Sequence, residues 1–171
     1  MSPSIPSRFL VGLLSLAATL SFTASVAAAD LAGRMREGGV DWIIGKWTAT
    51  TDSGNTMSLG YEWGLRPTVV MSKFKSDDDE SMAMIYLDES DGKVRHLAVG
   101  ASGRLGKGEW IAAGGLATLK YQGTSASGEE VRLGFVHRKI DADTMEVDVR
   151  GLNSDGVVGD TLMTLTFKRQ K

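Results

Sequence analysis

The sequence predicts an all-β fold, a single antiparallel up-and-down β-barrel of about 8–10 strands behind a short helical lead-in. Three observations point there. From Val40 onward, apolar and polar residues alternate with a period of two. Strand-like runs recur every 8–14 residues or so, separated by short turn signals. Twenty of the 21 glycines follow residue 29, whereas Pro67 is the only proline there. Glycine this frequent without proline marks many tight turns rather than disorder.

The chain opens on a different pattern. Residues 1–8 are polar and carry one charge, Arg8, and residues 9–29, FLVGLLSLAATLSFTASVAAA, carry none. A charged start, an apolar run and small residues at its end describe a secretory signal peptide. Ala27-Ala28-Ala29 places the cut before Asp30, with an uncleaved membrane anchor as the alternative. No twin arginine is present, and a chain with no cysteine cannot carry a lipobox. Residues 30–171 then form one domain, 171 less 29 or 142 residues long. Loss of Arg8 leaves 18 of 19 basic residues against 21 acidic ones, a net charge of about −3. That balance gives no electrostatic attraction to nucleic acid or to an anionic membrane. An exported chain without cysteine must draw its stability from burial and hydrogen bonding alone.

Residues 31–35 read as the helical lead-in, ended by Gly38-Gly39. Ten strands follow, at 46–51, 56–63, 68–75, 80–87, 94–99, 108–113, 117–122, 130–140, 144–151 and 161–168. In the second, Met57, Leu59, Tyr61 and Trp63 share one face, against Thr56, Ser58, Gly60 and Glu62, as in a half-buried strand. The fourth sets Met82, Met84 and Tyr86 against Ala83, Ile85 and Leu87, so both its faces are apolar. The turns carry Gly54, Gly92, Gly114-Gly115, Gly128 and Gly156, which supply the positive φ angles of hairpins. Short links imply sequential antiparallel pairing, and closure into a barrel removes two exposed edges. A β-sandwich is the main alternative.

Gly45-Lys46-Trp47 at the start of the first strand resembles the Gly-x-Trp opening of lipocalins. The order of further motifs is similar to bacterial lipocalin-like domains of unknown function. These motifs are Trp42 to Trp47, Tyr61-Glu62-Trp63, Asp88 to Gly92, Gly106-Lys107-Gly108-Glu109-Trp110, and Arg138 to Thr144. The resemblance spans nearly all of residues 40–168. It implies a calycin-type barrel whose relatives often hold small apolar molecules. It also implies that Trp47 plugs the closed end beneath a basic side chain of the last strand, Arg169 or Lys168, with Gly45 completing that base.

Catalytic patterns are weak. No Gly-x-Ser-x-Gly elbow occurs, and Glu146 and Asp148 alternate with Met145, Val147 and Val149, which places them on the wet face. No catalytic residue is assigned. Asp77-Asp78-Asp79-Glu80 lacks the glycine bend of a calcium loop and reads as a solvated hairpin tip. The two histidines, His96 and His137, fall short of a zinc ligand set, so no metal site is assigned. His137, in phase with Leu133 and Phe135, faces inward and is the candidate axial ligand if the barrel holds haem. The apolar inventory points elsewhere. Leu59, Tyr61, Trp63, Met82, Met84, Tyr86, Trp110, Phe135 and His137 are the candidate ligand-binding set, with flexible methionine suited to an adaptable pocket.

The reading is an exported binding protein, periplasmic or extracellular, that holds a small apolar molecule without catalysis, cofactor or membrane attachment. A structural or protein-interaction barrel with a filled core is the alternative, and a haem barrel the further one. Expression in a secreting host should yield a chain beginning at Asp30. Mass spectrometry of the exported protein checks this, and a product retaining residues 9–29 would favour the anchor.

Overall fold

The structure, a computed structural model, describes residues 30–125 and 127–171; the leader read at residues 1–29 lies outside the described residues. Helix α1 (Leu31–Glu37) and a 3-10 turn (Asp41–Ile43) precede ten strands. These are β1 (Gly45–Thr50), β2 (Thr56–Leu65), β3 (Val69–Lys75), β4 (Glu80–Asp88) and β5 (Lys93–Gly100). The remainder are β6 (Leu105–Ala113), β7 (Leu116–Thr124), β8 (Glu130–Lys139), β9 (Thr144–Leu152) and β10 (Val158–Arg169). Each strand pairs antiparallel with its sequence neighbours, and β1 pairs with β10 to close the barrel. The result is a closed ten-stranded antiparallel up-and-down barrel.

Two strands begin three residues earlier than the alternation suggests. β6 starts at Leu105, and its first stretch is hidden in the sequence because Gly106 and Gly108, on its inner face, are poor strand formers by propensity. A Cβ at Gly106 would collide with the Tyr121 ring, so the missing side chain is what lets Tyr121 lie along the wall. β10 starts at Val158, and its register against β9 shifts on both sides of Thr161. That irregularity hides the period of two.

The barrel has two unlike ends. Five tight turns rim one end, and α1 covers the other. Asp30 caps the helix, its carboxylate accepting from Gly33 N–H at 2.6 Å. Leu31, Ala32 and Met35 are buried against the barrel end. Ala32 N–H donates to Pro67 O at 3.1 Å and Gly115 N–H donates to Gly38 O at 3.0 Å, tying the helix to the turns after β2 and β6. Isolated, seven residues would not hold a helix. Burial of Leu31 and Met35, about 1.5–3 kcal/mol each, supplies the stabilisation that local propensity lacks.

The seam between β1 and β10 is short, with Trp47 opposite Arg169 and Thr48 opposite Lys168. The Arg169 guanidinium lies over the Trp47 indole, 4.0 Å from the ring centroid. It donates to Ile44 O at 2.9 Å, Trp42 O at 2.8 Å and Ala142 O at 3.1 Å. Trp47 is almost wholly buried, and its Nε1–H donates to Ile43 O at 2.9 Å. Lys168 instead donates to Thr144 Oγ1 at 2.7 Å. Gly45 has φ +139°, and a Cβ there would run into the Arg169 guanidinium. One arginine therefore joins the 3-10 turn with its cap and the β8–β9 turn by hydrogen bonds from its charged guanidinium, each worth more than a neutral one, and reaches β1 by stacking on Trp47.

Arg169→Ala should destabilise the fold by about 3 kcal/mol, since it leaves three carbonyls without that donor and uncovers Trp47. Urea unfolding followed by tryptophan fluorescence measures it. Gly45→Ala should move the midpoint in the same direction.

Candidate functional site

Alternation in the strands aims one set of side chains into the barrel, and these enclose a cavity of about 250 Å³. It lies on the side of the barrel away from α1. Leu59, Phe74, Leu119, Phe135, Val147, Val149, Leu165 and Phe167 supply apolar wall, and Asp79 and Ser81 stand among the lining residues at the turn end. A second space of about 50 Å³ lies beneath α1, lined by Leu31, Met35, Val70 and Ile85. Tyr61 and Trp110 border both spaces, so they form part of the floor between them.

The floor is an aromatic layer with internal hydrogen bonds. Trp110 lies 5.1 Å from His137 and 6.0 Å from Tyr61 between ring centroids. His137 Nδ1 is 3.0 Å from Ala117 O, and a carbonyl can only accept, so Nδ1 carries the proton. Its Nε2 then accepts from the Tyr61 hydroxyl at 3.0 Å. Trp110 Nε1–H donates to His96 Nδ1 at 3.3 Å. The indole is a donor only, so the proton of His96 sits on Nε2.

Electrostatics follow from burial. Removal from water pushes His137 down to about 4, against hydrogen bonds that favour its charged form. It pushes His96 down to about 4 as well, with neighbouring His137 adding to the shift. Burial also raises the hydroxyls of Tyr61 and Tyr121 above their ordinary range. At neutral pH the floor is uncharged.

Of the nine residues read as ligand-binding, Leu59, Tyr61, Trp110, Phe135 and His137 line this one cavity. Trp63 shares their phase but sits nearer the helix end, half-buried, with the Arg66 guanidinium 5.7 Å from its ring centroid. Met82, Met84 and Tyr86 are corrected. Ala83 and Ile85 are the buried residues of β4, and Met82 and Met84 are 42% and 37% exposed on the outer face. Both faces of β4 are apolar, so periodicity alone could not choose between them. Pairing chose, setting Ala83 between Ser72 and Ala98, and Ile85 between Val70 and His96. A shift of one residue in phase moves every side chain to the opposite face.

Asp148 also differs from expectation. It faces outward but is buried, held by Arg150 Nη2–H at 2.8 Å and Thr164 Oγ1–H at 2.8 Å. Those hydrogen bonds, that of Arg150 first, hold its carboxyl below the usual range.

Ser72, His96, Ala98, Leu119 and Tyr121 were missed as lining residues. A usable signal existed for β5, where Lys93 and Arg95 share a phase with Leu97 and Val99. The charged phase faces water, which leaves Val94, His96 and Ala98 inside. Among the described residues, no three His, Asp or Glu side chains cluster as metal ligands. No helix among them is long and apolar enough to cross a membrane.

The histidines make a pH prediction. Both have folded-state values lowered from an ordinary 6.5 to about 4, so the folded chain binds fewer protons than the unfolded one in that window. Their contribution is present above pH 6.5 and is lost as the pH falls toward about 4. The carboxylates, with ordinary values of 3.8 and 4.5, act lower in the range. Urea midpoints should therefore drop between about pH 7.5 and about pH 5, and a His96→Asn, His137→Gln double variant should flatten the drop.

No protein-family model and no curated protein matches this chain. Among solved structures, the crystal structure of Rv2717c from M. tuberculosis is similar at 14% sequence identity with a TM-score of 0.47, covering 83% of this chain and 100% of that one.

Proposed function

We propose that the protein is an exported, non-catalytic barrel that holds a compact apolar molecule in its interior. The supporting observation is the cavity of about 250 Å³, walled mainly by aliphatic and aromatic side chains and floored by an uncharged aromatic layer. An apolar cavity of about 150 Å³ takes up benzene, so this volume suits a guest of one or two rings. The lipocalin-like opening at Gly45-Lys46-Trp47 supports the same reading, as does the leader for export to the periplasm or the medium.

The haem alternative fits less well. Tyr61 and Ala117 O occupy both ring nitrogens of His137, so it offers no free nitrogen to iron in this arrangement. A porphyrin is also far larger than a benzene-sized guest. The interaction-platform alternative draws on one observation, the outward apolar row of Met82, Val99 and Leu105, which are paired neighbours across β4, β5 and β6. That reading needs no cavity, which separates it from the first.

Calorimetric titration with tetralin, a neutral two-ring hydrocarbon, tests the proposal. Saturable binding is expected, and Ala98→Phe, which fills the cavity from β5, should abolish it while the far-UV spectrum is kept. Binding that survives Ala98→Phe, or no saturable binding to the native chain, would sink it.

A further inference from the structure

We propose that the guest is a neutral ring molecule bearing one hydrogen-bond acceptor, and that this acceptor is taken by the Nε2–H of His96. The inference rests on the interior being a binding site and specifies what that site selects.

The argument starts from unspent hydrogen-bonding capacity. His96 is 8% exposed and lines the cavity. Its Nδ1 is occupied by the Trp110 indole, which leaves the proton on Nε2. Among the described residues nothing accepts from that N–H. It is also absent from the fully enclosed atoms that lack partners, Trp42 Nε1 and Arg150 Nε, so it retains accessible surface. The Ser72 hydroxyl is in the same position, in a residue 7% exposed that lines the cavity with no side-chain partner. Buried donors are ordinarily satisfied, and two left open on one apolar wall mark a place for a polar atom from outside.

The two donors share one part of that wall. Ser72 pairs with Ala83, Ala83 pairs with Ala98, and His96 is the next inward residue on β5. Of the inward residues around them, Ile85 packs beneath the cavity, and only the Ala83 and Ala98 methyl groups line it there, so small side chains give room beside the donors.

Charge sets the remaining selection. No lysine or arginine lines the cavity, and its one charged residue, Asp79, lies 3.7 Å from Arg104. An anionic head group would lose its water and meet no cation. A cationic one would meet the donor end of His96. With burial holding both histidines neutral, a carbonyl or ether oxygen is the group this wall accepts.

Three two-ring probes separate the possibilities by calorimetry on the exported chain: tetralin, its ketone α-tetralone, and naphthalene carboxylate. The ketone should bind about tenfold more tightly than tetralin, and the carboxylate more weakly than either. His96→Phe should reduce the gap between ketone and hydrocarbon to within about twofold while tetralin still binds. Long-range proton–nitrogen correlation spectra of the native imidazoles give a readout independent of any variant. The His96 proton should be on Nε2, and that resonance should shift with the ketone and not with tetralin. Equal affinities for ketone and hydrocarbon, or a His96 proton on Nδ1, would overturn the acceptor inference and leave the binding reading standing. Failure of all three probes to bind would overturn the binding reading and this inference with it. Should His96→Phe not fold, the native spectra decide.

Discussion

Closure of the ring between β1 and β10 is the constraint on which the rest of the molecule depends. Eight of the ten strands have their two neighbours from simple hairpins, but β1 and β10 are partners from opposite ends of the described chain. Their ladder is the shortest in the barrel, and it is also the least local, so its formation carries the largest loop-closure cost. Arg169 compensates by concentrating several interactions at that seam, stacking on Trp47 while donating to three carbonyls in two separate segments, the 3-10 turn with its cap and the β8–β9 turn. A closed ring has no free strand edge to pair with another chain. It also creates an inside, without which neither the cavity nor the floor would exist.

The inside is shaped by unequal side-chain size rather than by a uniform lining. On β6 the inward positions run from Gly106 and Gly108 to Trp110, so the wall thins and then thickens sharply along one strand. Tyr121 occupies the space above the glycines, and Trp110 meets Tyr61 and His137 across the interior. On β4 and β5 the inward alanines, Ala83 and Ala98, leave volume unfilled. Volume thus collects on one side of a polar-aromatic layer while α1 covers the other. The same layer sets the chemistry, because each imidazole there has its tautomer decided by a partner that can only accept or only donate.

Much of the architecture was legible in the chain. Turn glycines such as Gly92 and Gly156 adopt the positive φ that their hairpins require, and ten runs became ten strands. Leu59 and Tyr61 were legible as lining because β2 alternates cleanly between apolar and polar or small residues. Met82, Met84 and Tyr86 were not, because β4 is apolar on both faces and alternation carries no sign. His96 was overlooked for a related reason, since Leu97 and Val99 on its strand are bulkier than Ala98 and yet face outward in the phase of Lys93 and Arg95. Asp148 looked like a solvated carboxylate, and the strands on either side bring Arg138 and Thr164 over it beside Arg150 of its own strand.

By itself, the sequence determined what depends on local periodicity and turn chemistry: an all-β domain, its strand number, its hairpin order and the Gly45–Trp47 opening of the first strand. Tertiary structure decided what depends on cross-strand register. It selected the inward phase of β4 and β5, chose Arg169 over Lys168 as the cation on Trp47, and brought residues 76 positions apart, Tyr61 and His137, into one hydrogen bond. The physical reason is that alternation states only that two faces differ. Which face meets the interior, and which donors are left without partners there, is settled when neighbouring strands lock the register.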